Sequence, residues 1–162
     1  MKVLLINPPC GILTIGLKNL TKIEPLNLEL LGATIQGRHE VRLVDMEVEP
    51  KDLSRILIDF KPDIVGVTSE VVHTETAKQA LSVVRLSAPY CLTVVGGHHP
   101  TVCPQDFLDP LIDLIVRGEG TETFAEICDS KAEGCTSFSH IAGLMIRDGD
   151  QLIATNPRPL PL

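Results

Sequence analysis

Tryptophan is absent, and aromatic residues make up only 3% of the 162-residue chain. The core must therefore be aliphatic, and a nucleic-acid platform that stacks bases on aromatic rings has little to use. Positive charge is also short, with 14 Lys and Arg against 21 Asp and Glu and a formal net charge of -7. Binding a phosphate backbone needs a basic stripe, so no nucleic-acid partner is expected. No apolar run approaches the roughly 20 residues that cross a bilayer. Met1-Lys2-Val3 starts a short strand and not a signal sequence, so a cytoplasmic protein with no membrane partner is expected. The five cysteines, Cys10, Cys91, Cys103, Cys128 and Cys135, are an odd number, lie far apart and lack C-x-x-C spacing. That pattern argues against a disulfide framework and against a zinc site built from cysteine pairs.

What is present is aliphatic sequence in short blocks, 44% hydrophobic overall, enough for one core. Lys2 to Ile6 is a nearly continuous aliphatic run, the signature of a strand buried on both faces, and Asn7-Pro8-Pro9 stops it. Cys10 to Glu24 is long for a strand-to-helix loop, a length common in lids and mobile segments. Pro25 suits the first turn of a helix whose Leu26, Leu28, Leu30, Leu31 and Ile35 face the sheet, ending near Gly37. Strands follow at Val41–Asp45, Asp63–Thr68, Leu92–Val95 and Asp113–Val116. Helices alternate with them at Lys51–Phe60, Thr74 to about Ser87, Pro104 to about Leu108 and Glu122 to about Ser130. Regular alternation of strand and helix predicts a flavodoxin-like α/β domain, a doubly wound parallel sheet of about five strands. A C-terminal β-hairpin follows, Gly143–Arg147 and Gln151–Ala154 around an Asp-Gly turn, placed in the main sheet or beside it. Asn156-Pro-Arg-Pro-Leu-Pro-Leu162 then has the composition of an extended linker, and a further domain is expected beyond it.

In such a sheet, ligands bind outside the carboxyl ends of the strands. There the sequence is rich in Gly, Pro and hydroxyls, most tellingly at Leu92-Thr-Val-Val-Gly96-Gly97-His98-His99-Pro100-Thr101. Two readings stand for this stretch: a ligand rim in which glycine permits close approach and His99 takes part, or a tight turn with exposed histidines. Arg117-Gly118-Glu119-Gly120-Thr121-Glu122 is either a plain helix start with Thr121 as N-cap or a set of backbone N–H groups facing a ligand. Asp45 ends the second strand, where an acid would hold a ribose in a dinucleotide fold. The G-x-G-x-x-G that such a fold needs after the first strand is missing, however, as is the G-x-x-x-x-G-K-[ST] of a P-loop. Glu70, Glu75 and Glu119 near the rim have no recognisable nucleophile partner, and no catalytic residue is assigned. His73 precedes a helix, as a capping or solvent residue, and neither Cys10 nor Cys103 carries the local sequence of a nucleophile.

As a set, Val3-Leu-Leu-Ile-Asn-Pro-Pro9, Pro25–Ala33, Val41–Asp45, Pro62–Ser69, Val94–Thr101 and Ile115–Glu122 resemble the cobalamin-binding domain that precedes a radical S-adenosylmethionine (SAM) domain in many enzymes. The resemblance implies a cobalamin site drawn from Asn7, Pro8 and Pro9; from Thr68, Ser69, Glu70 and Val71; from Gly96, Gly97, His98, His99 and Thr101; and from Gly118, Glu119, Gly120 and Thr121. It also implies that the dimethylbenzimidazole tail sits near Ser69, Val71, Gly96 and Gly97, with the corrin over the rim. The Asp-x-His-x-x-Gly of mutase-type cobalamin domains is replaced by Asn7-Pro8-Pro9-Cys10-Gly11, so the resemblance supplies no lower histidine ligand and no protein metal ligand is assigned. The chain has no Cys-x-x-x-Cys-x-x-Cys for a 4Fe-4S cluster. That cluster and SAM are expected only in an absent radical SAM domain of methyltransferase or cyclase type, with residues 1–142 as the cobalamin-binding Rossmann-like domain and 143–162 as hairpin and linker. Alternatives are a degenerate fold that serves as a scaffolding module without cofactor, and a flavin carrier, which the prolines after the first strand disfavour.

Overall fold

The computed structural model describes residues 1–11, 24–48 and 52–159. Most of the loop expected from Cys10 to Glu24, the helix start at Lys51 and the last three residues of the tail lie outside them. The elements run β1 (Lys2–Asn7), α1 (Leu26–Ile35), β2 (Glu40–Asp45), α2 (Leu53–Phe60), β3 (Ile64–Thr68), α3 (Thr74–Ser87), β4 (Leu92–Gly96), α4 (His98–Val102), β5 (Leu114–Val116), α5 (Thr121–Ala132), β6 (Leu144–Asp148) and β7 (Gln151–Ala154). Short 3-10 turns occupy Val71–His73 and Pro104–Phe107.

The strands form one sheet in the order β2-β1-β3-β4-β5-β6-β7. The first five are parallel, in the flavodoxin-like order, and the hairpin is added antiparallel to β5. The hairpin therefore belongs to the main sheet. Its turn is Gly149-Asp150, with Gly149 at a φ of 58°, as a two-residue connection requires.

Because side chains alternate across a strand, the aliphatic runs feed two cores at once. Leu4, Ile6, Val65, Val67 and Val95 pack with α2 and α3, joined by Leu57, Phe60, Leu81 and Phe107. Val3, Leu5, Ile64, Val94, Leu114 and Val116 pack on the opposite face with α1 and α5, through Leu28, Ile35, Phe124 and Ile127. Asp52 caps α2 by accepting from the Arg55 N–H at 3.2 Å.

Three details of the helices differ from expectation. The helix expected from Pro104 to about Leu108 is a 3-10 turn over Pro104–Phe107. Leu26 and Leu30 are 66% and 56% exposed, since a period of 3.6 places Leu28, Leu31 and Ile35 toward the sheet and turns Leu26 and Leu30 away. Thr121 is the first residue of α5 and Gly120 takes the cap position, because the Thr121 hydroxyl is drawn to the Glu119 carboxylate. The partly buried Arg85 is structural. Its guanidinium reaches Asp113 at 2.7 Å and Thr93 at 2.8 Å, at the amino ends of β4 and β5, far from the rim.

Burial has a measurable consequence for two thiols. Desolvation pushes Cys91 from an ordinary value of 9.0 up to about 11, and Cys128 up to about 12. In the metal-free chain at neutral pH these two are expected to resist disulfide exchange reagents until denaturant is added, whereas the partly exposed Cys10, Cys103 and Cys135 react. Equal rates for all five would contradict the packing. The folded-state values are raised, so this contribution to stability is complete below about pH 9 and is lost as pH rises toward about 11. Urea midpoints across that window should fall.

Candidate functional site

At the carboxyl end of the sheet, a cleft of about 160 Å³ opens on the α1 and α5 side. Its floor is the sheet itself, Leu5 of β1, Gly66 to Thr68 of β3, Val94 and Gly96 of β4 and Val116 of β5. One wall is α1, through Asn27, Leu28, Leu30 and Leu31, and the other is the start of α5, through Gly118 to Thr121 and Phe124. The lining is chiefly aliphatic, and glycine interrupts it where bulk would close it. A Cβ on Gly66 would lie 3.0 Å from Leu5 and 3.3 Å from the Phe124 ring, so glycine there lets the ring of α5 rest on the strand. Gly96 follows Val94 by two residues and so faces the same side, toward the cleft.

The polar groups at the mouth are held in place by one another. Asn27 Nδ2 donates to Thr68 Oγ1 at 2.8 Å, which joins the start of α1 to the end of β3. Thr101 Oγ1 accepts from the Gly118 N–H at 3.0 Å and donates to the Gly97 carbonyl at 2.8 Å, which ties the loops after β4 and β5. Glu119 accepts from the Thr121 N–H at 2.9 Å and from its hydroxyl.

Of the residues expected from sequence, the structure gathers Thr68, Gly96, Gly97, Gly118, Glu119, Gly120 and Thr121 around this cleft. Thr101 stands behind it as a tie. Ser69 is fully buried, its N–H donating to the Gly96 carbonyl at 2.8 Å and its hydroxyl to the Glu70 carbonyl at 3.1 Å. Glu70 and Val71 are exposed on the same end of the sheet, outside the cleft. Asn7 donates to Asp45 at 2.9 Å, so the acid that could have held a ribose is engaged by its neighbouring strand. Pro8 is buried beside it and Pro9 half-buried. His98 is exposed. The His99 ring lies 2.9 Å from Asp106 and edge-on to Phe107, away from the cleft.

Sequence reasoning left the helical walls out of the site. Asn27, Leu30, Leu31 and Phe124 belong to it. The one available signal was Asn27, a polar residue within the apolar Pro25-Leu-Asn-Leu-Glu-Leu-Leu31.

A family model described as a B12 binding domain matches residues 12–128. An uncharacterized methyltransferase of Pyrococcus horikoshii is 31% identical over 99% of this chain, which corresponds to 36% of that protein. An anaerobic magnesium-protoporphyrin IX monomethyl ester cyclase of Synechocystis is 30% identical over 99% of the chain and 33% of its own length. The chain thus spans roughly a third of these two relatives. Among solved structures, the radical SAM methyltransferase TsrM of Kitasatospora setae, with cobalamin and a 4Fe-4S cluster bound, superposes with a TM-score of 0.78 at 20% identity, over 99% of this chain and 30% of that one. The cobalamin-dependent SAM radical enzyme OxsB, with aqua-cobalamin and SAM bound, gives 0.79 at 19%, over 98% and 22%. At such identities the superpositions establish the fold, and the sequence matches establish the kinship: the chain belongs to the B12-binding domain family.

Proposed function

We propose that this domain holds cobalamin with the nucleotide base in the cleft between α1 and α5 and the corrin outside it, over the rim. The observation that carries the reading is the cleft itself. An apolar cavity of roughly 150 Å³ takes one benzene-sized ring. A cleft of about 160 Å³ that opens outward therefore has room for a flat aromatic base and none for a corrin. The aliphatic floor suits the base, and the Asn27–Thr68 pair and the Gly118–Thr121 loop offer polar partners at the mouth. When bound, cobalamin supplies a redox-active cobalt that can carry an alkyl group. The residues of this chain bind and orient it, and among the described residues none at the cleft is placed to act as acid, base or nucleophile.

In the longer protein, a radical SAM domain would supply the 4Fe-4S cluster and SAM, and residues 143–162 would lead toward it. Support comes from the two superposed enzymes, both of which use SAM together with cobalamin, and from the share of each relative that the chain spans. The tail is well placed for such a junction. Arg158 pairs with Glu122 at 3.0 Å and Glu126 at 2.5 Å and donates to Thr123 at 2.7 Å, which fixes the tail against α5 beside the cleft.

The chain should be incubated with hydroxocobalamin, desalted and examined by visible spectroscopy. Corrin absorbance that stays with the protein in near-stoichiometric amount is the expected result. A colourless protein, both from this chain and from the full-length parent, would overturn the reading in favour of a scaffolding module.

A further inference from the structure

Outside the cleft, a second group of side chains is assembled from three separate loops. Cys10 follows β1, Glu47 follows β2, and His73 ends the turn after β3. β1 and β3 are neighbours whose onward connections run in opposite directions, β1 to β2 and β3 to β4. The three loops therefore meet at the topological switch point, where an open α/β sheet takes its ligands.

Cys10 Sγ lies 3.2 Å from His73 Nε2, which in turn lies 3.8 Å from Glu47 Oε1. All three atoms fall within 4.8 Å of one another. A tetrahedral zinc ion with bonds of about 2.0–2.3 Å sets neighbouring ligand atoms about 3.4–3.6 Å apart. The two separations about His73 straddle that spacing, and the third pair lies within 4.8 Å, so an ion fits with side-chain adjustment.

Further bonds brace the loops that carry these three side chains. The Gly11 N–H donates to the Val72 carbonyl at 3.1 Å. Thr76 Oγ1 lies 2.6 Å from the Pro9 carbonyl and 3.1 Å from the His73 carbonyl, next to two of the ligands. The Glu47 N–H donates to Asp45 at 3.0 Å. The Cys10 N–H does donate to Glu47 Oε1, but a carboxylate has lone pairs to spare for a metal. The His73 and Glu47 side chains are 12% and 25% exposed, shielded yet reachable.

We propose that Cys10, Glu47 and His73 form a site for a zinc-class divalent cation that pins the loops after β1, β2 and β3 together. Thiolate and imidazole select a borderline metal over magnesium or calcium, which require oxygen ligands. Binding releases the thiol proton to solvent. A second triad, His99, Cys103 and Asp106, comes from one local segment and serves as an internal control.

The experiment uses the cobalamin-free chain, so its outcome is independent of the cofactor reading above. Cobaltous ion is added as a spectroscopic substitute for zinc. The expected result is a thiolate-to-metal charge-transfer band that saturates at one equivalent and is displaced by zinc. Cys10→Ser should abolish it, His73→Ala and Glu47→Gln should weaken binding at least about tenfold, and Cys103→Ser should leave it unchanged. Absence of the band in the parent chain, its survival in Cys10→Ser or its loss in Cys103→Ser would each overturn the proposal. Should Cys10→Ser misfold by circular dichroism, alkylation of the parent chain decides instead: zinc must protect Cys10, and unprotected alkylation refutes the site.

Discussion

Replacement of Gly96 by valine is expected to weaken cobalamin retention at least about 100-fold, on the order of 3 kcal/mol, with the fold intact. Gly96 ends β4, its side-chain direction faces the cleft, and its φ is not positive. A Cβ there meets Val116 at 3.5 Å, ordinary van der Waals contact, so the backbone tolerates a side chain. Valine suits a strand. Its two methyl groups would then occupy the space assigned to the base. Desalting after incubation with hydroxocobalamin, with circular dichroism as the folding control, reads the result. Undiminished corrin absorbance in a folded Gly96→Val chain would remove the base from this cleft.

The neighbouring residue behaves differently. Gly97→Val is expected to lower stability by about 2–5 kcal/mol whether or not cofactor is present. Gly97 adopts φ 108° and ψ -171°, a region that is essentially closed to residues with a Cβ. An added Cβ would also come within 2.8 Å of the Ser69 carbonyl oxygen. The second glycine of the pair is therefore required by the protein's own β3 loop, whose Ser69 carbonyl accepts from the His99 N–H at 3.2 Å. A urea midpoint equal to that of the parent chain would disprove this. The contrast between adjacent glycines also makes Gly96→Val the informative probe of binding, because loss of colour in a Gly97→Val chain would report unfolding as much as site loss.

Much of the fold was legible because its signals are local. Continuous aliphatic runs closed by Asn-Pro-Pro, Thr-Ser or Gly-Gly mark buried parallel strands, and they fall in β1, β3 and β4. Helix faces were read less well. Leu26 and Leu30 look like core residues in a leucine-rich segment, yet which side of a helix meets the sheet depends on how the helix is rotated against its neighbours. The rim residues after β3, β4 and β5 were recognisable by their glycines and hydroxyls. The walls of the cleft were not, since Asn27 and Phe124 are apart in sequence and come together only when α1 and α5 pack side by side on one face.

The sequence by itself determined the kind of protein this is: an aliphatic, acidic α/β chain with Gly-, Pro- and hydroxyl-rich strand ends and motifs shared with cobalamin-binding domains. Tertiary structure alone decided which rim residues share a cavity, which glycine guards backbone packing and which lines the cavity, and that Cys10 meets residues 37 and 63 positions away in sequence. The physical reason is that strand and turn preferences are set within a few residues, whereas a cavity or a cluster of ligand atoms is defined by strand order and helix placement, which no short stretch of chain contains.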